Sequence, residues 1–94
     1  MIKIYAKKRY FFGTSESRKL RLKNFFPAII YGKKKSSLFM MLNQNDIINL
    51  FNKNTLENKK LLIILKKKNI YVKIKEVQMH PFKYKFSHID FLRV

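Results

Sequence analysis

Apolar and polar residues alternate along the start of the chain. Ile2, Ile4 and Ala6 alternate with lysine or tyrosine at positions 3, 5 and 7, which is typical of a half-buried β-strand of about residues 2–9. Apolar runs and alternations bounded by turn residues predict further strands at about residues 25–31, 38–42, 61–65, 70–80 and 86–94. The pattern therefore predicts about six strands, most of them short.

Two segments have a helical pattern instead. The first covers about residues 15–23, where Thr14 or Ser15 can cap the start and Asn24 can end the helix in a left-handed conformation. The second follows Asn43 or Asn45 as a cap, and its apolar residues recur at the helical spacing expected of a core-facing side: Ile47, Leu50 and Phe51.

The longest predicted strand changes parity along its length. The apolar residues at positions 70, 72 and 74 share one parity and those at positions 77 and 79 share the other. Because one extra residue in a strand reverses which face the following side chains occupy, we expect a β-bulge near Lys75–Glu76.

These elements predict a mainly β fold with some α (α+β). About six short strands and two short helices in one domain, residues 1–94, favour a small six-stranded β-barrel that is closed and antiparallel in type. The chain is 47% hydrophobic, so it can form a core and is not a disordered basic tail.

Charge is the strongest compositional signal. The chain has 22 lysine and arginine residues against 5 acidic residues, a formal net charge of +17, which indicates a polyanionic partner. The absence of cysteine excludes disulfides and thiolate metal sites. No apolar run reaches the roughly 18 residues of a membrane span. We therefore expect a cytoplasmic protein with no membrane partner, no cofactor and no metal.

Four of the basic residues are arginines, and three of them lie in the first quarter of the chain. Arg18 and Arg21 are three apart on the first predicted helix, Lys19 lies on a neighbouring face, and Arg9 precedes them on the first strand. Arginine binds phosphates and base edges as a planar fork, whereas lysine is a hydrated point charge. The helix is either a phosphate-binding element or a solvated basic face, and the net charge favours the first interpretation.

The last strand and two other positions offer candidates for reading bases. His88 and Asp90 are two apart and should face the same way. Asp can accept hydrogen bonds from base amino groups. The alternative is that Asp90 pairs with a lysine and His88 is an ordinary surface residue. Tyr31, at a strand end, and Gln78, on the outward parity, could contact RNA or be surface residues.

Other functional classes fit less well. His80 and His88 could resemble the pair of a two-histidine ribonuclease, but no orienting partner, Gly-rich phosphate loop or nucleophile motif accompanies them. A metal site at His88 and Asp90 lacks a third ligand nearby. We therefore expect no enzyme activity. A free RNA chaperone or regulator with a basic barrel stays open as an alternative.

Five short pieces of the chain, in order, carry a family resemblance. They are Arg9, Gly13–Arg21 (GTSESRKLR), Phe26–Gly32 (FPAIIYG), Val77–Pro81 (VQMHP) and His88–Phe91 (HIDF). Together they resemble the bacterial large-subunit ribosomal protein L-twenty-five family in its short, single-domain form. The chain departs from the family pattern at Tyr10, Thr14 and Met79, where basic residues are usual.

The resemblance implies a six-stranded barrel with two or three helices that is a non-enzymatic component of the large ribosomal subunit. It implies binding to 5S rRNA at the irregular internal loop called loop E, with a barrel face at the minor groove and the basic helix at a neighbouring groove. The contacts that carry over by position are Arg9, Ser17, Arg18, Arg21, Tyr31, Gln78, His88 and Asp90.

The resemblance also sets the expected partners. They are 5S rRNA within the 50S subunit of the cytoplasmic ribosome and, as a further class, neighbouring ribosomal proteins. No small-molecule substrate and no obligate homo-oligomer are expected.

Overall fold

Six strands close into a β-barrel in the computed structural model, which describes residues 1–8 and 15–94. The elements in chain order are β1 (Lys3–Lys8), α1 (Ser15–Leu22), β2 (Phe25–Gly32), β3 (Lys35–Asn43), α2 (Gln44–Lys53), β4 (Leu61–Leu65), β5 (Lys68–Met79) and β6 (Phe86–Arg93). Around the barrel the strand order is β1-β3-β2-β6-β5-β4, with β4 paired back to β1. The predicted six-stranded closed barrel is confirmed.

The barrel closes through two parallel pairings. β1 pairs in parallel with β4, and β2 pairs in parallel with β6, while the other strand pairs are antiparallel. The expectation of antiparallel pairing therefore holds for four of the six pairs. Parallel partners need long connections, and both pairs join strands that are far apart in the sequence.

The core fills the barrel with alternate residues of every strand. The largest of these side chains are fully buried, among them Ile30, Met40, Ile63 and Phe91. Phe86 packs against Phe26 with ring centroids 5.5 Å apart. Neither helix in the described part of the chain has the length and apolar character that crossing a bilayer would require.

Two local features of the sheet follow the sequence pattern closely. The register of β5 against β6 shifts between Ile74 and Glu76, which confirms the predicted bulge. Asn24 ends the first helix region with a φ of 71°, as predicted. Pro27 is the third residue of β2, and pairing of β2 with β6 begins only at Ala28, so the missing N–H lies before that ladder.

The strand ends around the two tight turns differ from the prediction. Loops were expected at residues 32–37 and 66–69, but β3 begins at Lys35 and β5 begins at Lys68. Each turn therefore has two residues, Lys33–Lys34 and Lys66–Lys67. Lysine gives no turn signal in a sequence, because two-residue hairpin turns usually carry asparagine or glycine.

α2 closes one end of the barrel. Its cap is Asn43, whose side chain accepts a hydrogen bond from the Asp46 N–H at 3.1 Å. Ile47 is buried in the core, and Leu50 and Phe51 pack against it, as the helical spacing predicted.

Gln44 joins this helix to the start of β6. Its side-chain Nε2 donates to the Phe86 carbonyl at 2.6 Å, and its Oε1 accepts from the Phe86 N–H at 2.9 Å. Gln44 is 5% exposed. Both backbone groups of Phe86 are satisfied by one amide, in the manner of a paired strand.

We expect Gln44→Ala to lower the free energy of unfolding by about 2–4 kcal/mol, because it leaves a buried N–H and a buried carbonyl without partners. Urea denaturation measures this loss. Asn49→Ala, an exposed change on the same helix, should cost less than about 1 kcal/mol. Equal losses in the two variants would show that the Gln44 bridge contributes nothing specific.

Candidate nucleic-acid interface

A row of polar side chains lies on the outside of the barrel where β5 meets β6. Gln78 is the strand partner of His88, and Glu76 is the strand partner of Asp90. Between them Ile89 points inward and is buried. We give the name β6 face to the set Glu76, Gln78, His88, Asp90 and Tyr31. Strand alternation explains the row, since residues two apart share one side of a sheet.

His88 and Asp90 contact each other directly. The Nδ1 atom of His88 lies 2.7 Å from Oδ1 of Asp90, and the two side chains are 28% and 25% exposed. This partner is a histidine and not the lysine that the alternative interpretation proposed. Each side chain keeps a second polar atom, Nε2 of His88 and Oδ2 of Asp90, that can take part in a further hydrogen bond.

The β6 face carries two carboxylates in a strongly basic chain. Glu76 and Asp90, two of the five acids, are strand neighbours on the same side. Carboxylates repel phosphates, so this spot suits groups that donate hydrogen bonds, such as base amino groups and ribose hydroxyls. The Gln78 amide adds both a donor and an acceptor.

Tyr31 extends this face along β2. It is half-buried, and its strand partner on β6 is Leu92, two residues after Asp90. The parallel pairing of β2 with β6 therefore places Tyr31 on the same side of the sheet as Asp90, on the neighbouring strand and two positions along, although the two residues are 59 positions apart in the sequence. Sequence reasoning named both residues but not their proximity.

α1 supplies the basic part of the interface. The helix contacts β2, and Arg18, Lys19 and Arg21 are exposed on it. Arg21 lines a depression of about 210 Å³ together with residues of the β5–β6 region, among them His80, Lys85 and Ser87. Among the described residues that line this depression, none is acidic. The basic helix therefore lies near the start of β6, just before His88.

Some predicted site residues are not described in the same detail. Arg9 lies outside the described residues, as do Tyr10 and Thr14, and of Ser17 the structure describes only the place in α1. The other predicted residues are brought together: Arg18, Lys19 and Arg21 on α1, and Tyr31, Gln78, His88 and Asp90 on the β6 face.

Arg93 has a separate role in the fold. Its guanidinium donates to the Gly32 carbonyl at 2.8 Å and to the Ser36 carbonyl at 2.7 Å. The fourth arginine therefore holds the β2–β3 turn against the end of β6. Five donors on a rigid fork suit this task better than a lysine ammonium.

Three residues of the site were missed from the sequence. Glu76 joins the β6 face through its pairing with Asp90, and Lys85 and Ser87 join Arg21 around the depression. The predicted bulge fixed the parity of Glu76, but its partner depends on the register with β6. Among the described residues, no cluster of three or more His, Asp and Glu side chains could hold a metal ion.

Comparison with known proteins agrees with this picture. A family model described as the Ribosomal L25p family matches residues 4–91. The chain is 44% identical over 95 residues to the large ribosomal subunit protein bL25 of Buchnera aphidicola subsp. Baizongia pistaciae (strain Bp), covering 100% of this chain and 98% of the relative. It is 40% identical over 94 residues to the protein of the same name from Buchnera aphidicola subsp. Acyrthosiphon pisum (strain Tuc7), covering 100% and 99%.

The His88–Asp90 contact should matter little for folding. We expect Asp90→Asn to change the free energy of unfolding by less than about 1 kcal/mol, because a contact between two partly exposed polar side chains contributes little. Thermal or urea denaturation of the variant measures this change. A loss above about 2 kcal/mol would instead place Asp90 among the residues that hold the barrel together.

Proposed function

The chain belongs to the Ribosomal L25p family, and from that premise we propose that it is a structural component of the large ribosomal subunit that binds 5S rRNA at loop E. The family consists of ribosomal structural proteins and not of enzymes. Membership of the family and the geometry of α1 and the β6 face both support the proposal. In it, residues 1–94 form one RNA-binding domain.

The observation that carries the proposal is the pair of carboxylates on the β6 face beside a basic helix. A protein that bound RNA through charge alone would gain nothing from Asp90 and Glu76 on its binding surface, since both repel phosphates. Beside the Gln78 amide and the His88 ring, these carboxylates can instead accept hydrogen bonds from base amino groups and ribose hydroxyls. Contacts to base edges give specificity, whereas contacts to phosphates give position.

Each part of the interface has a distinct task in this proposal. Arg18, Lys19 and Arg21 bind phosphates from α1, and Arg9 and Ser17 belong to the same set by position in the family. Gln78, His88 and Asp90 contact base edges and ribose hydroxyls in a minor groove, which in RNA is wide and shallow. Tyr31 packs against or hydrogen-bonds to a sugar or base at the edge of this groove. Irregular pairs of loop E expose edges that a regular helix does not.

Binding to two RNAs tests the proposal. The first is 5S rRNA, and the second is the same RNA with loop E replaced by regular Watson–Crick pairs. We expect at least about 100-fold weaker binding to the second RNA at about 0.15 M salt, because specific affinity depends on base-edge contacts. Equal affinity, falling in parallel as salt increases, would favour the free RNA chaperone with a basic barrel.

Arginine geometry gives a second prediction. We expect Arg18→Lys and Arg21→Lys each to weaken binding to 5S rRNA by about 5- to 20-fold at constant net charge, because a planar fork is replaced by a point charge. Filter binding or anisotropy measures the change. Lys53→Arg, an exposed change near the end of α2, is the matched control. If it alters affinity as much as the arginine variants do, arginine position has no special role.

A further inference from the structure

A second cluster of basic residues lies at the end of the barrel away from α2. The β2–β3 turn contains Lys33 and Lys34, and the β4–β5 turn contains Lys66 and Lys67. Both turns lie at the same end, because β4 and β2 each run toward the start of β5 and the end of β6. With Lys35 and Lys68, which begin β3 and β5, they form what we call the lysine end.

Two open depressions connect the turns. One, of about 590 Å³, is lined by Lys33, Lys35 and Lys68 with Arg93. The other, of about 570 Å³, is lined by Lys66, Lys67 and Lys68 with Lys8. The depressions share Leu38 and Lys68, so they are adjacent, and no aspartate or glutamate is among the described residues that line them. The result is a concave surface with charge of one sign.

The backbone of these turns shows that lysine is not there by conformational preference. Lys33, Lys34 and Lys66 have φ values of 54°, 57° and 55°, in the left-handed region where a side chain such as lysine is disfavoured. A two-residue turn with both residues at positive φ strongly favours Asn-Gly. Lysine at these positions therefore costs stability.

Compositional drift toward lysine does not explain this choice. The chain is also rich in asparagine, and it uses Asn24 and Asn58 at its other described non-glycine positions of positive φ, 71° and 60°. Asparagine tolerates this conformation at lower cost. At the lysine end alone, among the described residues, the chain has lysine where asparagine would fit the backbone better.

Arg93 makes the lysine end a defined surface. Its hydrogen bonds to the Gly32 and Ser36 carbonyls fix the β2–β3 turn against β6. Gly32 itself has a φ of 112°, and a Cβ there would lie 2.9 Å from the Leu92 side chain. The turn is held in place, so its lysines project from a fixed backbone.

We propose that the lysine end is a second RNA-binding surface, which binds the phosphate backbone of an RNA segment other than the one on the β6 face. It reads no sequence, because lysine ammonium groups contact phosphates as point charges. The protein would then join two RNA segments. This rests on the proposed function only in taking the β6 face as occupied by the first RNA.

The test measures whether the RNA-bound protein takes up a second RNA. The chain is saturated with an unlabelled hairpin carrying loop E, and a short labelled duplex of regular Watson–Crick pairs is titrated with the complex at about 0.1 M salt. Anisotropy of the labelled duplex reports binding. We expect saturable binding whose affinity falls steeply with salt.

The key variant is Lys33→Asn/Lys34→Gly, which removes two charges and supplies the residues that the turn geometry favours. Its melting temperature should equal or exceed that of the parent chain, so loss of binding cannot be assigned to unfolding. We expect at least about a fivefold loss of duplex binding and a salt slope smaller by about 1.5. Binding to the loop E hairpin should change less than about twofold.

The matched control is Lys53→Gln/Lys59→Gln, which removes two charges from exposed sites toward the other end of the barrel. It should weaken duplex binding by less than about twofold. Equal losses in the two double variants would show that only net charge matters and would overturn the proposal.

Other results would also overturn the proposal. Displacement of the duplex by the loop E hairpin would make the lysine end part of the first interface. Displacement by poly-glutamate at equal charge concentration would favour an acidic protein surface as the partner. Neither result would affect the discrimination between the two RNAs by which the proposed function is tested.

Discussion

The parallel pairing of β2 with β6 is the contact on which both the fold and the interface depend. It closes the barrel on one side. It also places the arginine helix, which precedes β2, toward the start of β6, and Tyr31, at the end of β2, beside Leu92 toward the end of β6. The residues that we propose for phosphates and those that we propose for base edges come mostly from opposite ends of the chain. Without this pairing, the chain would have a basic helix and a polar strand but no common surface.

The charged residues of the barrel differ in what they do. A net charge of +17 favours any polyanion and opposes compact folding through self-repulsion. Against that background, the informative residues are those that break the trend. Arg93 uses its guanidinium to hold a turn, and Asp90 with Glu76 makes a pair of carboxylates where phosphates bind poorly. Gln44, a neutral amide, satisfies a buried strand end without adding charge.

Local signals in the sequence were enough for much of the fold. The bulge at Glu76, the Asn43 cap and the left-handed Asn24 each follow from a few neighbouring residues. The parallel pairings could not be predicted from periodicity, because they depend on closing the whole sheet. Gln44 and Phe86 are 42 positions apart, and nothing local connects them. Most of the site residues could be named, but their proximity and the part of Glu76 required the register.

The interface that we propose depends on the Asp90 carboxylate, which accepts hydrogen bonds from base edges or ribose hydroxyls and so contributes to specificity. The most direct measurement is the ratio of affinities for 5S rRNA and for 5S rRNA with loop E closed by Watson–Crick pairs, in the parent chain and in Asp90→Asn. We predict that the variant lowers this ratio by about tenfold, with weaker specific binding and slightly stronger binding to the regular RNA. An equal gain in affinity for both RNAs would contradict the account, because Asp90 would then act only by repelling phosphates.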